Sequence, residues 1–348
     1  MWSTLPHLVF DSQFLDFAFN YSFDSEFDAG VGNAARIINT ILLQHTGPIL
    51  GFHFMSNDDY MAKYLDPWII FVSKHGIQKF TIHLPDGSCL YELPYGIMTC
   101  SSLTHLEVLA STVFRPSDCV KFPNLVSLEL VDTQIECKLI EDTLILPMLE
   151  TLKLISCRVF GRMRLVAPKL ENLTIDNIDI EYLNPIVTSI KHLSLDRSSL
   201  EILAELFHVA ADRLVLPQNL QTLKICALGI SVEQFSGALV LLRGSPNLYE
   251  LDLSVAVEVD ESRTTELFSY LSKAESHLNE AFRMIQKVRV REFKGSRAEM
   301  YLIKLLLAYS PKREKIVEQF KNCNSSDCIE HLKELISFPR ASTKAVIK

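Results

Sequence analysis

Apolar and polar positions in this chain follow a phrase that returns. FPNLVSLEL at residues 122–130 is answered by LPMLETLKL at 146–154 and APKLENLTI at 167–175. The shared core, L-x-x-L-x-L, recurs at Leu103/Leu106/Val108, Leu125/Leu128/Leu130, Leu149/Leu152/Leu154, Leu170/Leu173/Ile175, Ile190/Leu193/Leu195, Leu220/Leu223/Ile225 and Leu248/Leu251/Leu253, and Ile77/Phe80/Ile82 reads as an earlier copy. In a short strand alternate side chains face opposite sides, so the last two apolar residues of each phrase point inward and the residues between them point out. The first apolar residue sits at the turn into the strand. Pro precedes that turn at Pro123, Pro147, Pro168, Pro217 and Pro246, where its missing N–H costs no ladder bond.

One such unit cannot bury its apolar edge alone, whereas stacked units share a continuous core. The central copies start ~20–24 residues apart, which is the leucine-rich-repeat range. The expected fold is therefore α/β: a leucine-rich-repeat solenoid with a parallel sheet on the concave face and loops and helices on the convex face. Later copies are spaced wider because helices occupy their returns. Leu200, Leu203, Leu206, Phe207 and Ala210 fall at helical offsets. A second helix opens at Ser231 with Gln234 in a capping box, runs through Phe235, Leu239 and Leu242, and ends at Gly244. Earlier returns are too short for long helices and are expected to be loops or single turns.

Toward the C-terminus Val288, Val290 and Phe293 alternate as a strand and Gly295 breaks it. S-R-A-E at 296–299 is a capping box, Leu302, Ile303, Leu305, Leu306 and Tyr309 form an apolar helix face, and Ser310-Pro311 stops it. A strand and helix here would close the open end of a repeat array, which needs capping. The expected organisation is a helical cap over 1–76, repeats over 77–283, a C-terminal cap over 284–320 and a tail over 321–348.

The repeats resemble those of plant F-box proteins. Upstream, VGNAARIINTILLQHTGPILGFHF, DPWIIFVSKHGIQKFTIHL and ELPYGIMTCSSLTHLEVLAS are similar to the region such proteins carry between F-box and repeats. Downstream, QKVRVREFKGSRAEMYLIKLLLAYSPKREKIV resembles their FBD module, departing from it at Arg313. The 284–320 cap is thus expected to be FBD-like. The resemblance begins with WSTLPHLVFD at Trp2, where an F-box would be finishing. No adaptor-binding residue carries over, and a Skp1-type adaptor is expected as a partner only if an F-box stands upstream.

Composition removes several function classes. The 348 residues carry a net charge of −8 with a pI near 5.7 and a mean hydropathy of +0.17. An acidic chain lacks the basic surface that displaces counterions from nucleic acid. No apolar run reaches the ~18–20 residues that span a bilayer, and the N-terminus has no basic region of a leader, so cytoplasmic or nuclear residence with neither nucleic acid nor membrane as partner is expected. An extracellular receptor would carry paired cap cysteines and an Asn after the repeat core, where this chain has Thr133, Cys157, Ile178 and Ser198. The eight Cys are scattered through apolar phrases as small hydrophobes.

Catalytic constellations are missing. No phosphate-cradling Gly motif and no G-x-S-x-G elbow occurs. Cys323, Cys328 and His331 form only half a zinc pattern. Neither metal nor cofactor is expected, and the chain reads as a non-enzyme. What remains is the outward ladder. Its candidate protein-binding residues are Glu129, Lys153, Asn172, Asp176, His192, Asp196, Lys224, Glu250 and Asp252. Only Lys153 and Lys224 are basic among the outward repeat positions, which disfavours a polyphosphate ligand. The reading is the substrate-recognition portion of an SCF-type ubiquitin ligase, holding an unknown target protein. The alternative is an F-box-less scaffold or decoy that binds without recruiting a ligase.

Overall fold

Each repeat phrase becomes one short strand, and consecutive strands pair in parallel. The computed structural model describes residues 2–20, 27–85, 91–109, 112–115, 122–137, 142–160, 163–178, 189–210, 216–229, 231–256, 261–273, 275–309, 315–320, 333–339 and 346–347. Cys323, Cys328, His331 and Arg313 lie outside these. Two compact units divide the chain, Met1–Leu170 and Glu171–Lys348.

In the first unit six strands pair in chain order: β1 His7–Phe10, β2 Gly51–Met55, β3 Lys79–His83, β4 His105–Leu109, β5 Ser127–Val131 and β6 Thr151–Ile155. Their register superimposes the phrases residue on residue. Phe52, Phe80, Leu106, Leu128 and Leu152 are successive partners, as are Phe54, Ile82, Val108, Leu130 and Leu154. All ten are buried. A third column, Ile49, Ile77, Leu103, Leu125, Leu149 and Leu170, is wholly shielded from solvent. The N–H groups of Leu125, Leu149 and Leu170 each close a turn on the carbonyl three residues back. That places Pro123, Pro147 and Pro168 at the second position of the turn, where a fixed φ suits the geometry.

The region expected to be only a helical cap holds helices α1 Ser12–Asn20, α2 Phe27–Leu43 and α3 Leu65–Ser73, but also β1 and β2. Asp11 accepts from the Phe14 N–H at 2.9 Å to start α1, and Trp68 of α3 donates its indole N–H to Asn39 of α2 at 2.6 Å. Aromatic residues stand where Leu stands in later copies: Phe52 and Phe80 stack with centroids 5.7 Å apart and planes 7° from parallel. The returns also differ from expectation. Tyr91–Glu92, Thr112–Phe114, Gln134–Glu136 and Arg158–Phe160 form a second parallel sheet, and Asp142–Ile145 pairs with Met163–Val166. Copies of nearly equal length bring their return segments to the same level, within ladder distance of one another.

The second unit continues the same logic with β7 Asn172–Asp176, β8 His192–Asp196, β9 Thr222–Leu228, β10 Glu250–Val255, β11 Lys287–Phe293, β12 Lys315–Phe320 and β13 Val346–Ile347, again parallel and in chain order. Its returns carry α4 Arg197–Ala210, α5 Val232–Gly244, α6 Glu261–Lys273, α7 Glu275–Phe282 and α8 Arg297–Tyr309. Ser231 caps α5 by accepting from Gln234 N–H at 3.2 Å. The reciprocal half of that box is absent, because the Gln234 amide accepts from Gly229 N–H at 2.5 Å and donates to Glu201 at 2.6 Å. The box at the start of α8 closes both ways, Glu299 N–H to Ser296 Oγ at 3.3 Å and Ser296 N–H to Glu299 Oε2 at 2.8 Å. β11 does not lie over the sheet edge as a lid. It pairs in register with β10, Leu251 beside Val288 and Leu253 beside Val290, and is itself followed by β12.

One backbone device recurs in both units. Asp132, Ser156, Asn177, Ala227 and Glu292 have φ between 52° and 55°, and each lies two residues past the second inward side chain of its repeat strand (Leu130, Leu154, Ile175, Ile225 and Val290). A left-handed residue there turns the chain so that the next side chain goes back inside: Thr133, Cys157, Ile178, Leu228 and Phe293 are all buried. Where that residue is polar it binds the corner's backbone. Thr133 Oγ1 donates to the Val131 carbonyl at 3.1 Å, and Cys157 Sγ lies 3.5 Å from the Ile155 carbonyl of its own corner and 3.2 Å from the Leu130 carbonyl of the rung before. Burial pushes the Cys157 thiol up to about 11, leaving it a packing group rather than a nucleophile.

Leu152→Ala removes a fully packed rung and is expected to cost about 2–5 kcal/mol, whereas Ser194→Ala on the outward face is expected to cost less than about 0.5 kcal/mol. Urea melts rank the two. Gly237 of α5 lies against the Leu200 backbone of α4, where a Cβ would overlap the Leu200 carbonyl. Gly237→Ala is therefore expected to destabilise by about 1–3 kcal/mol in spite of alanine's better helix propensity. A melt that rises instead rejects this helix contact.

Candidate functional site

Alternation along each strand delivers the predicted ladder residues to one face of each sheet, but it brings them into different relationships. In the first unit Lys153 and Glu129, register partners on β6 and β5, form an ion pair at 2.7 Å. Next to them Glu107 accepts from Thr81 Oγ1 at 3.1 Å and lies 3.5 Å from His83 Nε2. The rings of His53 and His83 meet edge-on at 5.4 Å. Burial, then the neighbouring His83, pulls the His53 pKa below its ordinary value despite the opposing pull of Glu107 and Asp11. His53, His83 and Glu107 belong to the same outward face but were not among the sequence candidates: the copy holding His53 carries Phe52 and Phe54 in place of Leu and hides the phrase, while His83 and Glu107 lie on recognised copies upstream of the first candidate, Glu129.

In the second unit the candidates converge on a groove of about 290 Å³ that crosses β7 to β11. Asn172, His192, Lys224, Glu250 and Asp252 all line it, together with Thr174, Ser194, Thr222 and Arg289. His192 Nδ1 and Thr222 Oγ1 are 2.5 Å apart. Glu250 holds Lys287 at 2.8 Å and Arg289 at 3.4 Å. Asp252 accepts both arms of Arg291, at 2.7 Å from Nε and 2.5 Å from Nη2, the bidentate geometry that makes a guanidinium–carboxylate pair strong. That contact raises the Arg291 pKa.

Two aspartates flank the groove with different duties. Burial opposes the charge of Asp196, yet hydrogen bonds from the Ser198 and Ser199 hydroxyls and N–H groups outweigh it and hold the carboxyl below its ordinary value. The Ser199 hydroxyl donates at 2.6 Å and both N–H groups at 3.1 Å, so Asp196 caps α4 and its side chain is committed to that helix. Asp176 moves the other way. Burial raises its pKa, the Asp196 charge adds to the rise, and Lys224 partly counters it.

Sequence reasoning counted two basic outward residues and missed three. Lys287, Arg289 and Arg291 alternate along K-V-R-V-R of β11 and reach the same face because β11 is a rung in register with β10. The alternation was visible; the strand's membership of the sheet was not. Among the described residues no group of three or more His, Cys, Asp or Glu side chains is arranged to hold a metal ion, and no helix is long and apolar enough to cross a membrane.

Residues 65–185 match the family model described as FBD-associated F-box protein At5g56370, LRR repeats. The chain is also 26% identical, over 383 aligned positions covering 99% of its own length and 88% of the relative's, to the F-box/FBD/LRR-repeat protein At1g13570 of Arabidopsis thaliana. It thus resembles F-box/FBD/LRR-repeat proteins along nearly its whole length.

Because the Asp196 pKa is depressed in the folded chain, its ionised form adds stability above the ordinary carboxylate range, and that stability is lost as pH falls through the folded value. Asp196→Ala is expected to cost about 1–2 kcal/mol at neutral pH, as for loss of a helix cap. The deficit should begin to shrink as pH falls past about 4, where the carboxyl of the unfolded chain takes up a proton, and should vanish only below the depressed value of the folded chain. Melting curves collected from pH 7 down to pH 3 check both halves; a deficit constant with pH rejects the capping role.

Proposed function

We propose that the repeats stack as a leucine-rich-repeat solenoid whose strand face binds a target protein, and that the chain is the substrate-recognition portion of an SCF-type ubiquitin ligase. The observation that carries this reading is the ordered polar face: rung after rung presents outward side chains in register above a core that register alone keeps buried. Extended repeat surfaces of this kind bind through many modest contacts with a few dominant ones. The similarity to F-box/FBD/LRR-repeat proteins supplies the ligase context. In that role the chain performs no chemistry, and its effect on rate comes from holding the target close to a transferring enzyme.

A photo-crosslinking amino acid at Ser194, on the face, is expected to capture a discrete protein from cell extract. The same probe at Glu205, on α4 in the return, is expected to capture none. With the chain carried behind an intact F-box in a reconstituted ligase, ubiquitin should be transferred to the protein captured at Ser194. Equal capture from both positions would place binding elsewhere. Capture at Ser194 without ubiquitin transfer would leave a scaffold or decoy.

A further inference from the structure

The charges on the second unit's face are sorted across it and sorted by depth. Over β9, β10 and β11 the outward positions hold four cations, Lys224, Lys287, Arg289 and Arg291, against two carboxylates, Glu250 and Asp252. Over β7 and β8 they hold no Lys or Arg, and of the two aspartates there Asp196 is turned into its helix cap. In depth, the Glu250 and Asp252 side chains are only 16% and 11% exposed, while Lys287, Arg289 and Arg291 above them are 36%, 41% and 43% exposed. The carboxylates form a floor that holds the cations upright. The surface that a partner meets on this side is positive.

Resting on the reading of this face as the target-binding surface, we propose that the groove across β7 to β11 receives an extended segment of the partner protein that carries one or two Asp or Glu side chains, which pair with Lys224 and Arg289. Five strands at ~4.8 Å spacing span about 19 Å, the length of about six extended residues. Hydroxyls at Thr174, Ser194 and Thr222 line the same groove and can bond the segment's backbone amides. The chain's overall charge of −8 repels a long polyanion at a distance. A segment with one or two carboxylates, met at short range, is the chemistry that fits both the local excess of cations and the acidic whole.

The probe is a phage-displayed library of random eight-residue segments selected on the full chain, with bound segments then measured as fluorescent peptides. Selected segments are expected to be enriched in Asp and Glu, and replacing those residues by Asn and Gln should weaken binding at least tenfold. Lys224→Glu with Arg289→Glu, its fold checked by circular dichroism and melting, should turn the enrichment to Lys and Arg. Should that double variant not fold, Lys224→Gln alone is expected to weaken the best acidic peptide about tenfold. Enrichment in basic or uncharged residues, an empty selection, or acidic peptides indifferent to Lys224→Gln would overturn the proposal. Such a result together with capture at Ser194 overturns the acidic-segment inference and leaves the target-binding reading standing, whereas loss of capture at Ser194 removes that reading itself.

Discussion

Everything in this chain hangs on the register between parallel strands. The inward columns exist only because Leu128 sits beside Leu106 and Leu152, and not one residue away. A side-chain period of two means that a slip of one residue would turn a whole rung inside out, exposing two or three apolar side chains and burying polar ones. Burial of a Leu or Phe side chain stabilises by about 1.5–3 kcal/mol, so each rung is held in place by several such terms at once. The outward ladder inherits this order at no further cost. Lys153 meets Glu129 and Glu250 meets Lys287 because the leucines beneath them have already chosen who faces whom.

The corners are the second requirement. A strand of five to seven residues must end sharply if the chain is to return and begin the next rung. The left-handed residue at Asp132, Ser156, Asn177, Ala227 and Glu292 supplies that sharpness although none of the five is glycine. Asn and Asp tolerate this conformation well, and Ala and Glu less so. The buried residue that follows each of them repays the strain with packing, at Thr133 with a hydrogen bond to the corner's own carbonyl and at Cys157 with one to the Leu130 carbonyl of the rung before.

How much of this could be read beforehand depended on whether a feature lives inside the phrase. The strands with L-x-x-L-x-L, the direction of their side chains, the helices at Arg197–Ala210 and Val232–Gly244, and the capping box at Ser296 follow from local patterns. β1 and β2 escaped because Phe10, Phe52 and Phe54 take the leucine places around Gly51. The return strands escaped because a three-residue strand such as Gln134–Glu136 has no period long enough to notice and forms only when its neighbours arrive alongside. In the candidate site, outward placement was legible but commitment was not. Asp196 and Asp176 look alike in sequence, yet only Asp196 has Ser198 and Ser199 behind it to bind its carboxylate. Arg289 and Arg291 went uncounted because nothing local says that their strand joins the sheet.

The returns differ in length from copy to copy far more than the strands do. Between β5 and β6 the described return is short strand, whereas between β1 and β2 it holds α1 and α2 and between β9 and β10 it holds α5, and yet Leu8 still falls beside Phe52, Thr222 beside Glu250, Leu223 beside Leu251 and Lys224 beside Asp252. Strand spacing is set by backbone hydrogen bonds alone, so the back of the molecule can lengthen or shorten without moving any side chain on the front. Such a scaffold lets the two surfaces evolve on separate clocks: insertions accumulate behind, point substitutions accumulate in front, and a new specificity can be written one residue at a time on a grid whose spacing never has to be rediscovered.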